Sequence, residues 1–443
     1  MLVQRRTLLL LAVLALLAAP AVALRAACAG RSCRPPQSPP KVPFCSLPPE
    51  TRGRIAAGFR EERSPDVLAV TGSPHVVGGT GLPQGSPWPS VEAPTLARVP
   101  IVFWGQGVDP SAEVPVGTGL RDVAPTLASV LRFRIPHPEV RSGRVVDGVA
   151  SGEPPRLVVA VVWKNVGTQD LEDASGRWPE LRGLLSEGTG TLDGDVGSLP
   201  LDSAAALATL GTGGLPAEHG ITGTLLRDGG RVVRAWSRGA PVSIIATLAD
   251  DLDERLRQRP MIGLVGTSRA DRGAIGGNWY LNGDRDDIVI AAGSPHDQAS
   301  AATKLLQAGY GADEVADFLV VALDGSIPRM DAALSTVVRA ARRAGGGSVS
   351  VVVTATGSKG PPAEGDVLAS RLRREVERGL SARGPVIEGV ALGGLFLDQR
   401  GLVDTGVTAE DVLRELRTLS GPRGGRLLAD AFPGIAVTLA KYC

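Results

Sequence analysis

Short runs of consecutive apolar residues recur along the chain, at Val67–Val70, Val99–Trp104, Leu157–Trp163, Ile262–Val265, Asp287–Ala292, Phe318–Leu323, Val349–Thr354 and Val386–Val390. Their length and their Val/Ile/Leu content predict strands buried on both faces rather than strands with one wet side. Helix-period segments follow most of them, among them Val123–Leu131, Ser203–Leu210, Ala299–Ala308, Met330–Ala344 and Gly365–Leu380. Strands alternating with helices predict an α/β fold, a mainly parallel sheet with helices on both faces. Ser151–Gly152–Glu153–Pro154–Pro155 has the composition of a linker, although nothing requires independent domains on its two sides.

Composition narrows the reading. Apolar residues make up 43% of 443, enough for a sizeable core, so the chain is not one that stays disordered. Glycine (57) and proline (34) imply many turns and long ordered loops, and aromatics at 4% leave the core to aliphatic side chains. The formal net charge is +1, which excludes the strong basic footprint of non-specific nucleic-acid binding.

The N-terminus has a different pattern. Arg5 and Arg6 precede the apolar run Leu8–Leu17, and small residues follow, with Ala21–Val22–Ala23 as an A-x-A cleavage site. This predicts a secretory signal peptide over residues 1–24 and a secreted or cell-surface protein, with a cell-envelope partner as one possibility. A retained membrane anchor is the alternative, but Pro20 interrupts the stretch and Arg25 closes it before the ~20 residues of a span. A lipoprotein reading of Cys28 is disfavoured by Arg25. Residues 25–63 read as a Pro/Cys-rich arm and residues 64–443 as the folded body.

Export makes the four cysteines readable, since an oxidising compartment favours pairing. Three pairings are possible. Cys28 and Cys33 enclose a short loop suited to a local bridge, which leaves Cys45 to pair with Cys443, the last residue. No CxxC occurs and no histidine lies near these residues, so a zinc site built on them is disfavoured. There is no G-x-S-x-G elbow and no P-loop. His75, His137, His219 and His296 are each more than sixty residues from the next and form no local metal motif.

Two segments carry a family resemblance. One is Leu207–Gly213 (LATLGTG) with Pro216, His219–Gly220–Ile221 and Gly223; the other is Gly85–Ser86–Pro87, Val99–Gly105 (VPIVFWG) and Asp122–Leu127 (DVAPTL). Both resemble the alkaline phosphatase superfamily, in its nucleotide pyrophosphatase/phosphodiesterase-like branch, and the similarity extends through most of residues 64–443. The order differs from the family's, in which the segment resembling 157–224 comes first and the VPxxFxG segment near the end. The resemblance therefore implies a circular permutation, for which a Cys45–Cys443 bridge would restore the cut connection.

In that family two metal ions, usually zinc, held by Asp and His at strand ends activate a Thr or Ser nucleophile. Carried over residue by residue, the resemblance puts Lys164 at the first ligand position and keeps Asp324. Pro328, Thr356, Gly357 and Gln84 stand at four others, so five of six ligand positions lack a ligand. The nucleophile position falls at Ser203, whose simpler reading is a helix N-cap with Asp202 beside it, and the family's Asn after HGI falls at Thr224. His219 lies outside the family's metal set and is expected to pack or cap. These readings imply no metal cofactor and a pseudoenzyme that binds or scaffolds. The alternative is an active phosphoester hydrolase using Ser203, with zinc as its cofactor.

Overall fold

Trp163, Leu323 and Ala355 end three strands that run side by side in register, each buried along its whole length. The computed structural model describes residues 43–443 apart from 72–76, 79–87, 91–92, 278, 282, 284, 361–366, 422–425 and 440–442. Within it we number the strands β1 (Val67–Thr71), β2 (Arg98–Gly105), β3 (Leu157–Trp163), β4 (Thr189–Asp195), β5 (Ile262–Gly266) and β6 (Asp287–Ile290). They continue as β7 (Asp317–Leu323), β8 (Val349–Ala355), β9 (Ile387–Ala391), β10 (Gly394–Leu397) and β11 (Leu428–Pro433).

Seven strands form the main sheet in the order β4-β2-β8-β3-β7-β5-β6. From β8 to β6 all neighbours are parallel; β2 is antiparallel to both of its neighbours. The helix Ile327–Ala344 buries Met330, Leu334, Val337 and Ala341, the period-3.6 stripe that its sequence promised. Its neighbour Pro295–Gln307 is capped by Ser294, whose hydroxyl accepts from the Asp297 amide while the Asp297 carboxylate takes the Ser294 N–H.

A second, four-stranded sheet has the order β9-β10-β1-β11 and is antiparallel throughout. The helices Ala369–Gly379 and Ala409–Thr418 contribute Leu372, Val376, Leu413 and Leu416 to a core with Leu395 and Leu397. Here the two ends of the body meet. β1, near its start, pairs with β11, near its end, and a disulfide joins Cys45 to Cys443 with 5.3 Å between the Cα atoms. Phe44 packs on Phe432 beside it, ring centroids 5.1 Å apart. Cys28 and Cys33 lie outside the described residues, as does the whole of segment 1–24.

One expectation needs correction. The arm of residues 25–63 gives way to folded structure at Pro43, where the compact unit Pro43–Cys443 begins. Pro49–Gly58 is a helix with proline at its first position, Arg54 pairs with Asp195, and a Cβ on Gly58 would meet the Leu199 carbonyl. Proline content suggested irregular chain, but here the proline starts a helix. In the linker-like run 151–155, Ser151 donates to the Gly107 carbonyl and the Glu153 carbonyl accepts from Gln106 Nε2. The β4 strand escaped the apolar pattern because it reads TGTLDGD. Its glycines let it lie against β2, since a Cβ at Gly190 would sit 2.4 Å from the Ile101 carbonyl oxygen.

Candidate functional site

The parallel strands β3, β5, β7 and β8 end on one edge of the sheet, and the residue after each strand reaches the same region. These are Lys164, Thr267, Asp324 and Thr356. Ligand sites of open α/β sheets form at such carboxyl edges. Lys164, Ser203, Thr224, Thr267, Asp271 and Asp324 line one cleft there of about 320 Å³, to which Arg234 and Arg269 add positive charge.

Lys164 occupies the centre of this arrangement. Its ammonium donates to Asp271 Oδ1 at 2.8 Å and to Thr267 Oγ1 at 2.7 Å. The Lys164 side chain is 9% exposed and that of Asp271 1%, so the pair is nearly out of water. Asp271 Oδ2 meanwhile accepts the Thr267 and Ser268 amides at 2.7 and 3.0 Å and the Thr267 hydroxyl at 2.9 Å. A buried ion pair is tolerated only when the remaining lone pairs are satisfied in this way. Asp271 was missed on the sequence, although Ser268-x-x-Asp271 is a readable helix-start signature.

Ser203 begins the helix Ser203–Thr212, all of whose residues are buried. The cap is Asp202, not Ser203. The Asp202 carboxylate accepts the Ala204 amide at 2.8 Å and the amide and hydroxyl of Thr224 at 2.9 and 3.0 Å. Burial pushes the Asp202 carboxyl up, opposed by these hydrogen bonds. The Ser203 hydroxyl is thereby freed from capping and stands 3.5 Å from Thr356 Oγ1, which accepts the Asn165 amide at 3.0 Å. Ser203 is 3% exposed and lines the cleft.

The other sequence-derived positions diverge. Asp324 is exposed at the cleft, its amide donating to Gln298 Oε1 at 3.0 Å. Pro328 is an exposed residue in the first turn of the helix Ile327–Ala344, away from the cleft lining. Gly357 turns the chain out of β8 at φ +96°. Gln84 falls outside the described residues. The described residues do not fit the zinc pair that the family resemblance implies. Among the described residues no three His, Cys, Asp or Glu side chains converge. Of the two cleft carboxylates, Asp271 is committed to an ammonium and four hydrogen-bond donors, and a Lys ammonium repels a divalent cation.

The fold is similar to that of alkaline phosphatase PafA. A crystal structure of the wild-type enzyme aligns with a TM-score of 0.44 at 14% identity, over 60% of this chain and 77% of that one. A multiply substituted variant of that enzyme aligns at 0.42 and 14% identity over the same shares. No family model matches the chain, and no curated protein sequence does. No helix among the described residues is long and apolar enough to cross a membrane.

His219 plays no part in the cleft. It is fully buried, Nδ1 accepts the Ile221 amide at 3.1 Å, and the proton therefore belongs on Nε2, which faces Thr209 Oγ1 at 3.1 Å. It holds the HGI turn to the far half of the Ser203–Thr212 helix. Burial pushes its pKa down to about 3. Below about pH 6.5 the unfolded chain binds a proton that the folded imidazole refuses, so stability is lost as pH falls from there towards 3. The stability advantage of the wild type over His219→Gln is expected to shrink by about 2 kcal/mol between pH 7.5 and pH 5, each unit of gap being about 1.4 kcal/mol. Urea titrations of both proteins at the two pH values measure it. A pH-independent difference would mean that the folded imidazole titrates normally.

Proposed function

We propose that this chain is an exported, circularly permuted relative of the alkaline phosphatase superfamily whose two-metal centre has been replaced by the Lys164–Asp271 ion pair, and that it binds or scaffolds at the cell envelope instead of turning over phosphoesters. The observation that carries this is Lys164 itself. An ammonium held by 2.7 and 2.8 Å hydrogen bonds occupies the strand end where the family resemblance calls for a metal-binding aspartate. Permutation is supported by the meeting of the two ends at β1 and β11 and by the bridge between Cys45 and Cys443. Export is supported by that same disulfide, which persists in oxidising compartments.

The cleft suits binding. Hydroxyls of Ser203, Thr224 and Thr267 and the cations Arg234 and Arg269 surround a fixed ion pair. Hydrolysis needs more than this. Among the described residues the Ser203 hydroxyl faces Thr356, which is no base to take its proton, and metal catalysis would supply several kcal/mol that the ion pair does not replace. A second reading is an active hydrolase with Ser203 as nucleophile, favoured by the presence of Ser203 and Lys164 in the same cleft.

Turnover of nitrophenyl phosphate and bis-nitrophenyl phosphate separates the two, with and without added zinc and beside a Ser203→Ala variant. We expect no turnover above background from either protein and less than one zinc per chain by elemental analysis. Activity that vanishes in Ser203→Ala would establish the hydrolase reading. About two bound zinc ions per chain would overturn the loss of the metal centre.

A further inference from the structure

Lys164 is an unusual choice for this chain. Five lysines stand among its 47 basic side chains, and among the described residues Lys164 is the buried one. The other deeply buried ion pair uses arginine, Arg141 with Asp251. A guanidinium serves a buried charge pair at least as well as an ammonium. What only lysine offers is a primary amine that a carboxyl group can acylate.

The groups around it are placed for that reaction. Lys164 Nζ stands 2.8 Å from Asp271 Oδ1, with both side chains almost out of water. Thr267 Oγ1 joins the two partners, accepting from Nζ at 2.7 Å and donating to Asp271 Oδ2 at 2.9 Å. The Thr267 and Ser268 amides donate to Oδ2, and the Ser268 hydroxyl donates to Oδ1 at 3.3 Å. An amine, a carboxyl, a hydroxyl bonded to both and donors on each carboxyl oxygen therefore meet at one point.

We infer that Lys164 and Asp271 condense into an intramolecular amide, with the Thr267 hydroxyl as the proton relay; the ion pair is its folded precursor. One ammonium proton passes to Thr267 Oγ1 while the threonine's own proton passes to Oδ2, leaving an amine beside a carboxylic acid. The Nζ lone pair then bonds to Cγ, and the C=Oδ1 electron pair moves onto Oδ1, where the Ser268 hydroxyl donates. A second proton leaves nitrogen by the same relay, the Cγ–Oδ2 bond breaks, Oδ2 departs as water and Oδ1 closes back to a carbonyl. One ammonium and one carboxylate give one amide and one water, with no oxidant or co-reactant. Burial favours this direction, because leaving water costs two ions far more than it costs a neutral amide. Holding the partners in contact removes the entropic cost of their encounter. The product ties the end of β3 to the turn after β5 across β7, at the edge where the resemblance places the metals. The inference rests on the reading of this cleft as one without the family's metal pair.

Mass spectrometry of the reduced, trypsin-digested full chain tests this. Trypsin does not cut after an acylated lysine, so residues 157–177 should come off as one peptide carrying 270–272 on Lys164. That branched peptide should be one water lighter than its two parts. Asp271→Ala should release 157–164 free. Because that variant removes a buried partner and could fail to fold, Thr267→Val serves as the second, keeping the shape and both backbone amides but not the hydroxyl. Its cross-linking, read as the branched fraction against time after synthesis, should be slower by about 100-fold or more. Recovery of 157–164 and 270–272 as separate peptides in full yield from the folded wild type would overturn the amide. Cross-linking of Thr267→Val at the wild-type rate would overturn the relay. Zinc bound by a chain without the amide would count against both proposals, whereas unlinked peptides from a zinc-free chain count against the amide alone.

Discussion

Replacing Asp271 by alanine is expected to destabilise the body by about 3–5 kcal/mol, the usual cost of breaking a buried ion pair from one side. The Lys164 ammonium, 9% exposed, would be left with the Thr267 hydroxyl alone, and the Thr267 and Ser268 amides would lose their acceptor. The asymmetry between single and double changes is the informative part. Lys164→Met together with Asp271→Asn removes both charges and leaves a polar group for the two amides, so the double variant should be closer to wild type than the alanine variant. Urea unfolding of the three proteins measures this. A loss below about 1 kcal/mol for Asp271→Ala would mean that the cleft solvates Lys164 freely, as exposed pairs are, and would weaken the case for the ion pair as a structural replacement of a metal centre.

Breaking the Cys45–Cys443 bridge is the other large effect. The two cysteines are 398 residues apart in sequence, and closing so long a loop removes about 6 kcal/mol of unfolded-state entropy in the chain-entropy model. Measured effects commonly fall to about 2–5 kcal/mol, and that is the loss expected for Cys45→Ser or for the reduced protein. The helix Pro49–Gly58 should loosen first, because Phe44 and Phe432 would be held by packing alone. Unfolding with and without reductant measures the loss, and peptide mapping under non-reducing conditions identifies the bridge. A midpoint unaffected by reductant would show that β1–β11 pairing and ring packing suffice to hold the ends.

The buried parallel strands were legible because their chemistry is local. A run such as Leu157–Trp163 is apolar at every position, and only a strand covered on both faces uses such a run. Helix starts were less legible: the periodic segment Ala299–Ala308 belongs to a helix that begins at Pro295, and Met330–Ala344 to one that begins at Ile327. The glycine-rich β4 and the proline-led helix at Pro49 were not legible, because both depend on what lies opposite: Gly190 on the Ile101 carbonyl, Gly58 on that of Leu199. Ser203 shows the limit at one position. Its place in the first turn was readable, but which of two neighbouring side chains caps that turn was decided by Thr224, whose amide and hydroxyl claim the Asp202 carboxylate.

The sequence by itself determined the alternation of strands and helices, the near-neutral charge and the small set of possible cysteine pairings. Each of these is a property of residue identity and short-range spacing. Tertiary structure alone decided what Lys164 faces. Asp271 is 107 residues away, on the turn after a strand two places across the sheet, and only the parallel order β3-β7-β5 brings both to one edge. Whether a buried donor has found its acceptor depends on packing in three dimensions, which no pattern along the chain records.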